Sequence, residues 1–313
     1  MTRLSLSVVI ITRNHRKNVI DCLDAIKKQT LQPDEIVIVE DCTEHQYFNK
    51  KILGTLYSGN VIISYKKVIR GNYAKSWNKG IKLASSDLCI FLDDDSFLDP
   101  NFIKISLNLT MKYSSALGFV GQVLPSNENY FARFGSQYLM DEYRSVDTIK
   151  PIKIFASSGT VLYRSRIIKN HLFLNEKLES NQDIDFCLRV MVKKLRVYYS
   201  PKLISRNTFQ QNIQDFFQAH LRYGKGFGTI ELTHCGNFVE ENYLPHSFFQ
   251  WVIIPFFIFI QLFILSIKDM NRLKSSYMQM PLWLLHHLCI YIGLLSTSDG
   301  KTLFRRNFAQ KVR

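Results

Sequence analysis

The pattern of apolar and polar positions in the first 125 residues predicts strands that alternate with helices. Short runs rich in Val, Ile and Leu, each of the length of a buried strand, occupy residues 6–12, 35–40, 61–65, 87–92 and 118–123. Helical spacing follows at 18–30, 72–84 and 100–113, where Asn18 predicts a helix cap and Pro100 a helix start. Strands alternating with helices favour an α/β fold, in which helices cover both faces of a parallel sheet.

The middle of the chain is less regular. Residues 183–194 and 212–223 show helical spacing, and a glycine-rich run at 224–228 follows the second of them. Because this run does not follow a strand, it is no dinucleotide-binding fingerprint. We interpret it either as a hinge or as a loop whose neighbours Tyr223 and Lys225 contact phosphate or acceptor.

Two apolar segments lie near the C-terminal end. Residues 248–267 are 20 residues without a charge, about 30 Å as a helix and thus one hydrocarbon thickness. Residues 281–296 form a shorter run. Residues 247–313 hold 8 Lys or Arg and 2 Asp or Glu, which suits an anionic membrane surface. We expect the first run to span or form a hairpin in a membrane, and the second to be re-entrant or interfacial; a buried helix pair is the alternative.

The composition restricts the class of protein and the cellular compartment that we expect. With 46% hydrophobic residues the chain can bury a sizeable core, and its net charge is +14. The six cysteines form no CxxC pair, so we expect reduced thiols and a domain that faces the cytosol. The basic residues are scattered without aromatic interleaving, so we do not expect nucleic acid as a partner.

Three consecutive carboxylates follow the apolar run at 87–92. Asp93, Asp94 and Asp95 raise one another's pKa unless a cation compensates their charge. Hard Mg²⁺ or Mn²⁺ does so with oxygen ligands that it shares with phosphates. A solvated acidic turn that caps the next helix is the alternative.

Other polar residues end neighbouring strands or begin a later helix. Thr12 and Arg13 follow the first predicted strand, and Glu40 and Asp41 the second; parallel topology would bring them to the edge that holds the three carboxylates. Residues 181–185 place Asp183 and Asp185 at a helix start, where carboxylates gain from the helix dipole. The two do not share a helix face, so one is a candidate general base and the other a capping or orienting group.

Taken together, these stretches resemble family 2 glycosyltransferases of the GT-A fold. In chain order the similar stretches are 7–14 (opening strand), 38–43 (nucleotide loop), 71–81 (helix), 91–95 (D-x-D site), 158–164 (acceptor-side strand) and 175–185 (D-E…G-E-D-x-D). The resemblance covers about residues 5–228 and implies a Rossmann-like nucleotide-binding sheet, to which the C-terminal apolar helices are added.

The resemblance also implies roles for individual residues. Asp93 would contact ribose or phosphate, Asp95 would ligate a Mg²⁺ or Mn²⁺ that bridges the donor's diphosphate, and Asp183 would deprotonate the acceptor hydroxyl. Asp93 is the second candidate metal ligand. The other implied nucleotide-binding residues are Thr12, Arg13, Glu40, Asp41, Asn78 and Asp94.

Five positions depart from the family pattern. Glu40 replaces the first Asp of the nucleotide loop, and Cys42 replaces its Gly. Trp77 stands where Arg is common, and Gln182 replaces a Glu, so the general base would be Asp183 alone. Asn207 occupies the place of a His that often helps to bind the metal.

The implied reaction is inverting, metal-dependent transfer of a single sugar. The donor would be a nucleotide-diphosphate sugar and the acceptor a glycan or lipid-linked hydroxyl, in cell-envelope polysaccharide biosynthesis. Processive synthases of the family carry Q-x-x-R-W, whereas Gln218 to Tyr223 is one residue longer. The predicted parts are a nucleotide-sugar-binding half (1–125), an acceptor-binding and catalytic half (126–245) and membrane-associated apolar helices with a basic tail (246–313).

Two other functions stay open at this level. A sugar-nucleotide pyrophosphorylase also needs a carboxylate-bound metal, but that class carries a glycine-rich basic loop after its first strand, and residues 12–15 contain no glycine. A catalytically inactive membrane scaffold is disfavoured by the joint presence of Asp93, Asp95 and Asp183.

Overall fold

The structure, a computed structural model, divides the chain into two compact units. The first comprises residues 1–127, 142–177 and 182–208, and the second comprises residues 128–141, 178–181 and 209–313. Within them, the residues that the structure describes are 3–13, 16–42, 48, 52–54, 57, 61–69, 72–140, 148–153, 161–178, 180–234, 242–244, 250, 254–272 and 277–312. The predicted motif residues 158–160 and the glycine at 71 lie outside them.

A mixed sheet organises the first unit. Its strands are β1 (Leu6–Thr12), β2 (Glu35–Cys42), β3 (Ile62–Ile69), β4 (Leu88–Asp93), β5 (Ser96–Leu98), β6 (Gly118–Pro125), β7 (Lys150–Ile152), β8 (Val161–Arg164) and β9 (Val197–Asn207). Their order is β3-β2-β1-β4-β8-β6-β9-β5, and β7 pairs with β9. Strands β1 to β4 are parallel, but β8 is antiparallel to β4 and β6. The parallel sheet predicted from the first 125 residues is confirmed for β1 to β4, and the antiparallel β8 comes from a later part of the chain.

Helices connect the strands and continue beyond them. In chain order they are α1 (Arg16–Lys27), α2 (Tyr73–Leu83), α3 (Phe102–Lys112), α4 (Tyr130–Met140), α5 (Ser165–His171), α6 (Gln182–Val192), α7 (Ile213–His234), α8 (Ile254–Arg272), α9 (Met280–Leu295) and α10 (Ser298–Val312). The predicted cap at Asn18 is wrong, because α1 already begins two residues earlier. The helix predicted at 72–84 is confirmed, and the Asn72 side chain caps it by accepting a hydrogen bond from the Lys75 N–H at 2.9 Å.

Apolar cores on both faces of the sheet hold the first unit together. On β1, Val8 and Ile10 pack in the core that α1 and α3 cover, whereas Val9 and Ile11 pack in the core that α2 and α6 cover. All seven residues of β1 are buried, as expected for a strand with a helix layer on each side. The prediction that helices cover both faces is confirmed. This packing fixes the strand ends, which carry the polar residues.

In the second unit, glycines let helices approach closely. The run at 224–228 lies inside α7, so its interpretation as a hinge or loop is wrong. An ideal Cβ at Gly224 would lie 2.2 Å from the carbonyl oxygen of Ile290 in α9, and one at Gly228 would lie 3.0 Å from the backbone nitrogen of Gly300 in α10. These glycines serve close backbone packing rather than bending.

Both C-terminal apolar runs contain helices. The first predicted run includes α8, although residues 248, 249 and 251–253 lie outside the described part of the chain. The second run is α9. Among the described residues, one helical stretch, Tyr277–Leu295, is long and apolar enough to cross a membrane, and 56% of it is buried inside the protein. A buried core helix meets the same criterion. This stretch belongs to the second run, so the span or hairpin predicted for the first run stays a prediction.

Candidate active site

Polar residues converge at the carboxyl ends of three neighbouring parallel strands. The register pairs Thr12 at the end of β1 with Glu40 in β2, and Ile11 with Asp93 at the end of β4. The prediction that the polar strand ends meet at one edge is confirmed. In sheets of this kind, ligands bind beyond this edge.

The three consecutive aspartates at this edge have different surroundings. Thr12 Oγ1 donates a hydrogen bond to Asp94 Oδ2 at 2.5 Å, which ties the turn after β4 to the end of β1. Asp93 Oδ1 accepts a hydrogen bond from the Tyr73 hydroxyl at 3.0 Å. Thr208 N–H donates to the backbone carbonyl of Asp95 at 3.2 Å, so this carboxylate is presented from a fixed backbone.

Two of these aspartates, Asp93 and Asp95, have a pKa above the ordinary aspartate value. Burial, followed by the charges of Asp94 and Asp183, raises the pKa of Asp93 to about 6, although the hydrogen bond from Tyr73 opposes the rise. Burial and the charges of Asp93 and Asp94 raise the pKa of Asp95 to about 8. Crowded carboxylates of this kind hold negative charge best beside a cation.

The predicted residues at the end of β2 are held by side chains from neighbouring elements. Arg13 donates to Asp41 Oδ2 from Nε at 3.0 Å and from Nη2 at 2.6 Å, so it is paired with a second predicted site residue. The Tyr65 hydroxyl donates to Glu40 Oε2 at 2.5 Å, and Glu40 is fully buried. The structure thus places Thr12, Arg13 and the β2 carboxylates in one polar strip.

Asn78, also predicted for the nucleotide pocket, makes hydrogen bonds to a different segment. Its Nδ2 donates to the Leu174 carbonyl and to Glu176 Oε1, both at 2.9 Å, and its Oδ1 accepts from the Leu174 N–H at 2.7 Å. These bonds tie α2 to residues 174–176. Its predicted contact with the nucleotide stays a prediction.

The two aspartates at the start of α6 are clearly distinguished. Asp185 is buried and forms an ion pair with Arg189 at 2.8 Å, one turn along the same helix. Asp183 accepts a hydrogen bond from the Ile184 N–H at 2.9 Å, and burial raises its pKa despite that bond. Its charge also raises the pKa of Asp93, which places the two carboxylates in one electrostatic environment. Asp183 is therefore the better candidate for a general base.

The turn before α6 is held by Ser180 and Asn181, to which the sequence analysis assigned no role. Asn181 has a φ of 58°, a left-handed conformation that Asn tolerates better than most residues. Its Nδ2 donates to the Tyr223 carbonyl at 2.9 Å, and Ser180 Oγ donates to the Arg222 carbonyl at 2.6 Å. Both anchors lie on α7. An Asn directly before a polar helix start is a recognisable signal for such a turn.

The donor atoms at the carboxyl edge suit a hard divalent cation. Asp93 and Asp95 supply carboxylate oxygens. Asn207 lies in register with Ser96, next to Asp95 in sequence, and its Oδ1 is buried without a hydrogen-bond partner in the described structure. Mg²⁺ typically takes one or two protein carboxylates and completes its shell with substrate phosphates and water. Among the described residues, no group of three or more His, Cys, Asp or Glu is arranged to hold a metal by itself.

Comparison with known proteins identifies similar sequences over the same region. The model of "Glycosyl transferase family 2" matches residues 7–172, just over half of the chain. One curated relative is TarS of Staphylococcus aureus, a poly(ribitol-phosphate) β-N-acetylglucosaminyltransferase that is 23% identical over 205 residues. A second is YwdF of Bacillus subtilis, an uncharacterized glycosyltransferase that is 33% identical over 199 residues. A third is AmsB of Erwinia amylovora, an amylovoran biosynthesis glycosyltransferase that is 24% identical over 201 residues. The matches cover 62%, 63% and 60% of this chain, and 34%, 72% and 64% of the respective relatives. The chain thus matches about a third of the length of TarS.

Solved structures share the fold. The crystal structure of residues 1–349 of TarS with UDP-GlcNAc matches with a TM-score of 0.54 at 14% identity, covering 98% of this chain and 92% of that one. The structure of GalNAc-T7 with UDP, GalNAc and Mn²⁺ matches with a TM-score of 0.55 at 10% identity, covering 88% of this chain and 56% of that one. At these identities the likeness concerns the fold, and it agrees with the GT-A sheet expected from the sequence.

Proposed function

Because the chain belongs to glycosyltransferase family 2, we propose that it transfers a single sugar from a nucleotide-diphosphate sugar to an acceptor hydroxyl, with inversion at the anomeric carbon. One observation carries the proposal. The charge of Asp183 acts on Asp93, which ends β4 at the carboxyl edge of the sheet. This interaction supports a shared site for the candidate base and the candidate diphosphate-binding residues.

The proposed chemistry uses one base. Asp183, at the start of α6, takes the proton of the acceptor hydroxyl as its oxygen attacks the anomeric carbon, and the nucleoside diphosphate leaves from the opposite face. A single attack inverts the configuration, whereas retention by double displacement would need a second carboxylate as nucleophile. The raised pKa of Asp183 makes it a stronger base than an ordinary aspartate.

The carboxyl edge would bind the donor. Thr12, Arg13, Glu40 and Asp41 are proposed to contact the nucleotide, and Asn78 is proposed to contact it from α2. Asp93 and Asp95, with Asp94 beside them, are proposed to hold the diphosphate end through Mg²⁺ or Mn²⁺. The bound cation would offset the charge that develops on the leaving diphosphate.

Relatives suggest the wider setting. TarS is named for transfer to poly(ribitol-phosphate) and AmsB for amylovoran biosynthesis. We therefore infer that the acceptor is a cell-envelope glycan or a lipid-linked precursor of one. The C-terminal apolar runs and the absence of a CxxC pair support a location at the cytoplasmic face of a membrane. The sequence from Gln218 to Tyr223 lacks the Q-x-x-R-W spacing, which favours single transfer over polymerisation.

Matched substitutions test the proposal. Asp183→Asn removes the base without changing side-chain size, and Asp24→Asn makes the same change on the surface of α1. We expect Asp183→Asn to lower kcat by about 10²–10⁴-fold, while nucleoside diphosphate with Mn²⁺ still raises the melting temperature. Asp24→Asn should keep full activity. Nuclear magnetic resonance of the product should show the inverted anomer.

Two results would contradict the assignment. If the Asp183→Asn and Asp95→Asn variants both kept full transfer activity, neither the proposed base nor the proposed metal ligand would be needed for the reaction. Release of pyrophosphate from a nucleoside triphosphate and a sugar phosphate, without transfer from a nucleotide sugar, would instead establish a pyrophosphorylase.

A further inference from the structure

Helix α8 presents a row of large apolar side chains to solvent. Each is between 40% and 73% exposed. The row consists of Phe256, Phe259, Ile260, Phe263, Ile264 and Ile267. Steps of three and four residues place all six on one face of the helix, over a length of about 17 Å. We call this row the α8 stripe.

The opposite face of α8 is already buried. Leu262 and Leu265 pack in one apolar cluster with Ile290 and Leu294 of α9, and Met270 packs in a second cluster within the same unit. Up to Ile267, helix α8 is therefore apolar on both faces, and among the described residues the apolar clusters cover only one of them. A helix of this composition is normally surrounded by protein or lipid, and a continuous exposed row marks an interaction site rather than scattered surface residues.

The stripe is small for a dimer interface. Taking roughly 190 Å² for each fully exposed side chain, it offers about 600 Å² of apolar surface. A stable protein interface buries about 800 Å² on each partner and surrounds its apolar centre with a polar rim. A narrow strip of this size suits a fluid apolar phase better than a second copy of the chain.

Charge on helices α8 and α10 favours an anionic surface. Two exposed basic residues follow the stripe on α8, and three more are exposed on α10: Lys268, Arg272, Lys301, Arg305 and Arg306. The two acidic residues of this region make contacts within the protein. Asp269 lies 3.4 Å from Arg272 and 3.3 Å from His287, and Asp299 accepts a hydrogen bond from Thr229 at 2.6 Å. The exposed charge of these helices is thus positive.

We propose that the α8 stripe lies in the plane of a membrane that contains anionic phospholipids. Its phenylalanine and isoleucine side chains enter the boundary between headgroups and acyl chains, and the basic residues bind the headgroups. The proposal rests on the membrane attachment in the proposed function and specifies which surface of the protein contacts the membrane. Helix α8 lies on the membrane rather than crossing it, because its other face belongs to the protein core.

Vesicle flotation of the full chain tests this arrangement. The vesicles are phosphatidylcholine alone or phosphatidylcholine with 30% phosphatidylglycerol. Phe259→Asp places a charge in the stripe, and Met111→Asp places the same charge on α3 at a side chain of similar exposure, 63% against 71%. We expect Phe259→Asp to lower affinity for the anionic vesicles by at least about tenfold, whereas Met111→Asp stays close to the unchanged protein. Affinity for neutral vesicles should be lower throughout.

A fluorescent reporter gives a second readout that does not depend on a destabilising change. Phe259→Trp should shift its emission to the blue on addition of anionic vesicles, since the indole leaves water. No shift, or equal flotation of Phe259→Asp and Met111→Asp, would overturn the proposal. A dimer in gel filtration that Phe259→Asp dissociates would also overturn it, in favour of a second copy.

Nucleotide binding separates this proposal from the proposed function. Phe259→Asp and the unchanged protein should show the same thermal shift with nucleoside diphosphate and Mn²⁺. Flotation without such a shift would refute the enzymatic proposal and leave the membrane surface standing. A thermal shift without flotation would refute the membrane surface and leave the enzymatic proposal standing.

Discussion

Replacing Gly226 with Ala should slow catalysis although this glycine is proposed to contact neither donor nor acceptor. An ideal Cβ at Gly226 would lie 2.4 Å from Ser180 Oγ and 2.9 Å from Ser180 O and from Asn181 Nδ2. Contacts under 3.0 Å force a shift. Ser180 cannot simply rotate away, because its hydroxyl is bonded to the Arg222 carbonyl. The turn that leads into α6, and hence to Asp183, must therefore move.

The size of the effect follows from two opposing terms. Ala in a helix interior is about 1 kcal/mol more favourable than Gly, while overpacking costs about 1–3 kcal/mol. We therefore expect a net loss of about 0–2 kcal/mol in the free energy of unfolding. Relief of the closest contact from 2.4 to 3.0 Å needs a shift of 0.6 Å. Since misplacement by 1 Å can cost about 10²-fold in rate, kcat should fall roughly tenfold.

The assay compares kcat, the KM for the donor and the melting temperature of Gly226→Ala with those of Gly54→Ala. Gly54 has no atom within 4 Å of its ideal Cβ, so this control reports the backbone effect alone. We expect kcat to fall for Gly226→Ala with little change in the donor KM. The double variant Ser180→Ala with Gly226→Ala removes the closest contact and should recover part of kcat. Unchanged kcat together with a raised melting temperature would refute this reasoning.

Three further predictions concern the sheet edge and the core beneath it. Tyr73→Phe removes the hydrogen bond to Asp93 and should raise the Mn²⁺ concentration for half-maximal activity by about tenfold; an unchanged metal titration would contradict this. Burial raises the pKa of Asp183, and a base must be deprotonated, so kcat should fall as pH falls through a value above the ordinary aspartate range. An acid limb near pH 4 would show that this carboxylate is not the base. Trp77→Ala empties a fully buried site against Phe91, at 4.3 Å between ring centroids, and should cost about 3–5 kcal/mol in urea unfolding; a loss under 1 kcal/mol would contradict the packing.

The fold of the first 125 residues was largely predictable because its signals are local. Strand β1 is a continuous apolar run and is buried throughout, and Asn72 caps α2 where the sequence places a helix start. Strand direction is not local, so the antiparallel β8 could not be foreseen. The run at 224–228 was misjudged because glycine lowers helix propensity, while the close neighbours that stabilise it there come from distant parts of the chain.

The candidate site was predictable where residue type and strand position coincide. Asp93 and Thr12 end adjacent strands, so parallel topology alone brings them together. Tyr73 and Tyr65 were missed, since their hydroxyls reach the edge from a helix and from another strand, and no spacing rule connects them to it. The separate roles of the α6 carboxylates follow from the ion pair of Asp185, which is visible only in three dimensions.

The glycine contacts of α7 bear on how this protein can be recombined with others. Gly224 and Gly228 meet backbone atoms of α9 and α10, and Gly293 of α9 meets the Leu221 carbonyl in return. Complementarity here is between main chains rather than interchangeable side chains. A chimera that grafts foreign C-terminal helices onto this enzyme would need to import the matching segment of α7 with them, so the natural crossover point lies before Ile213.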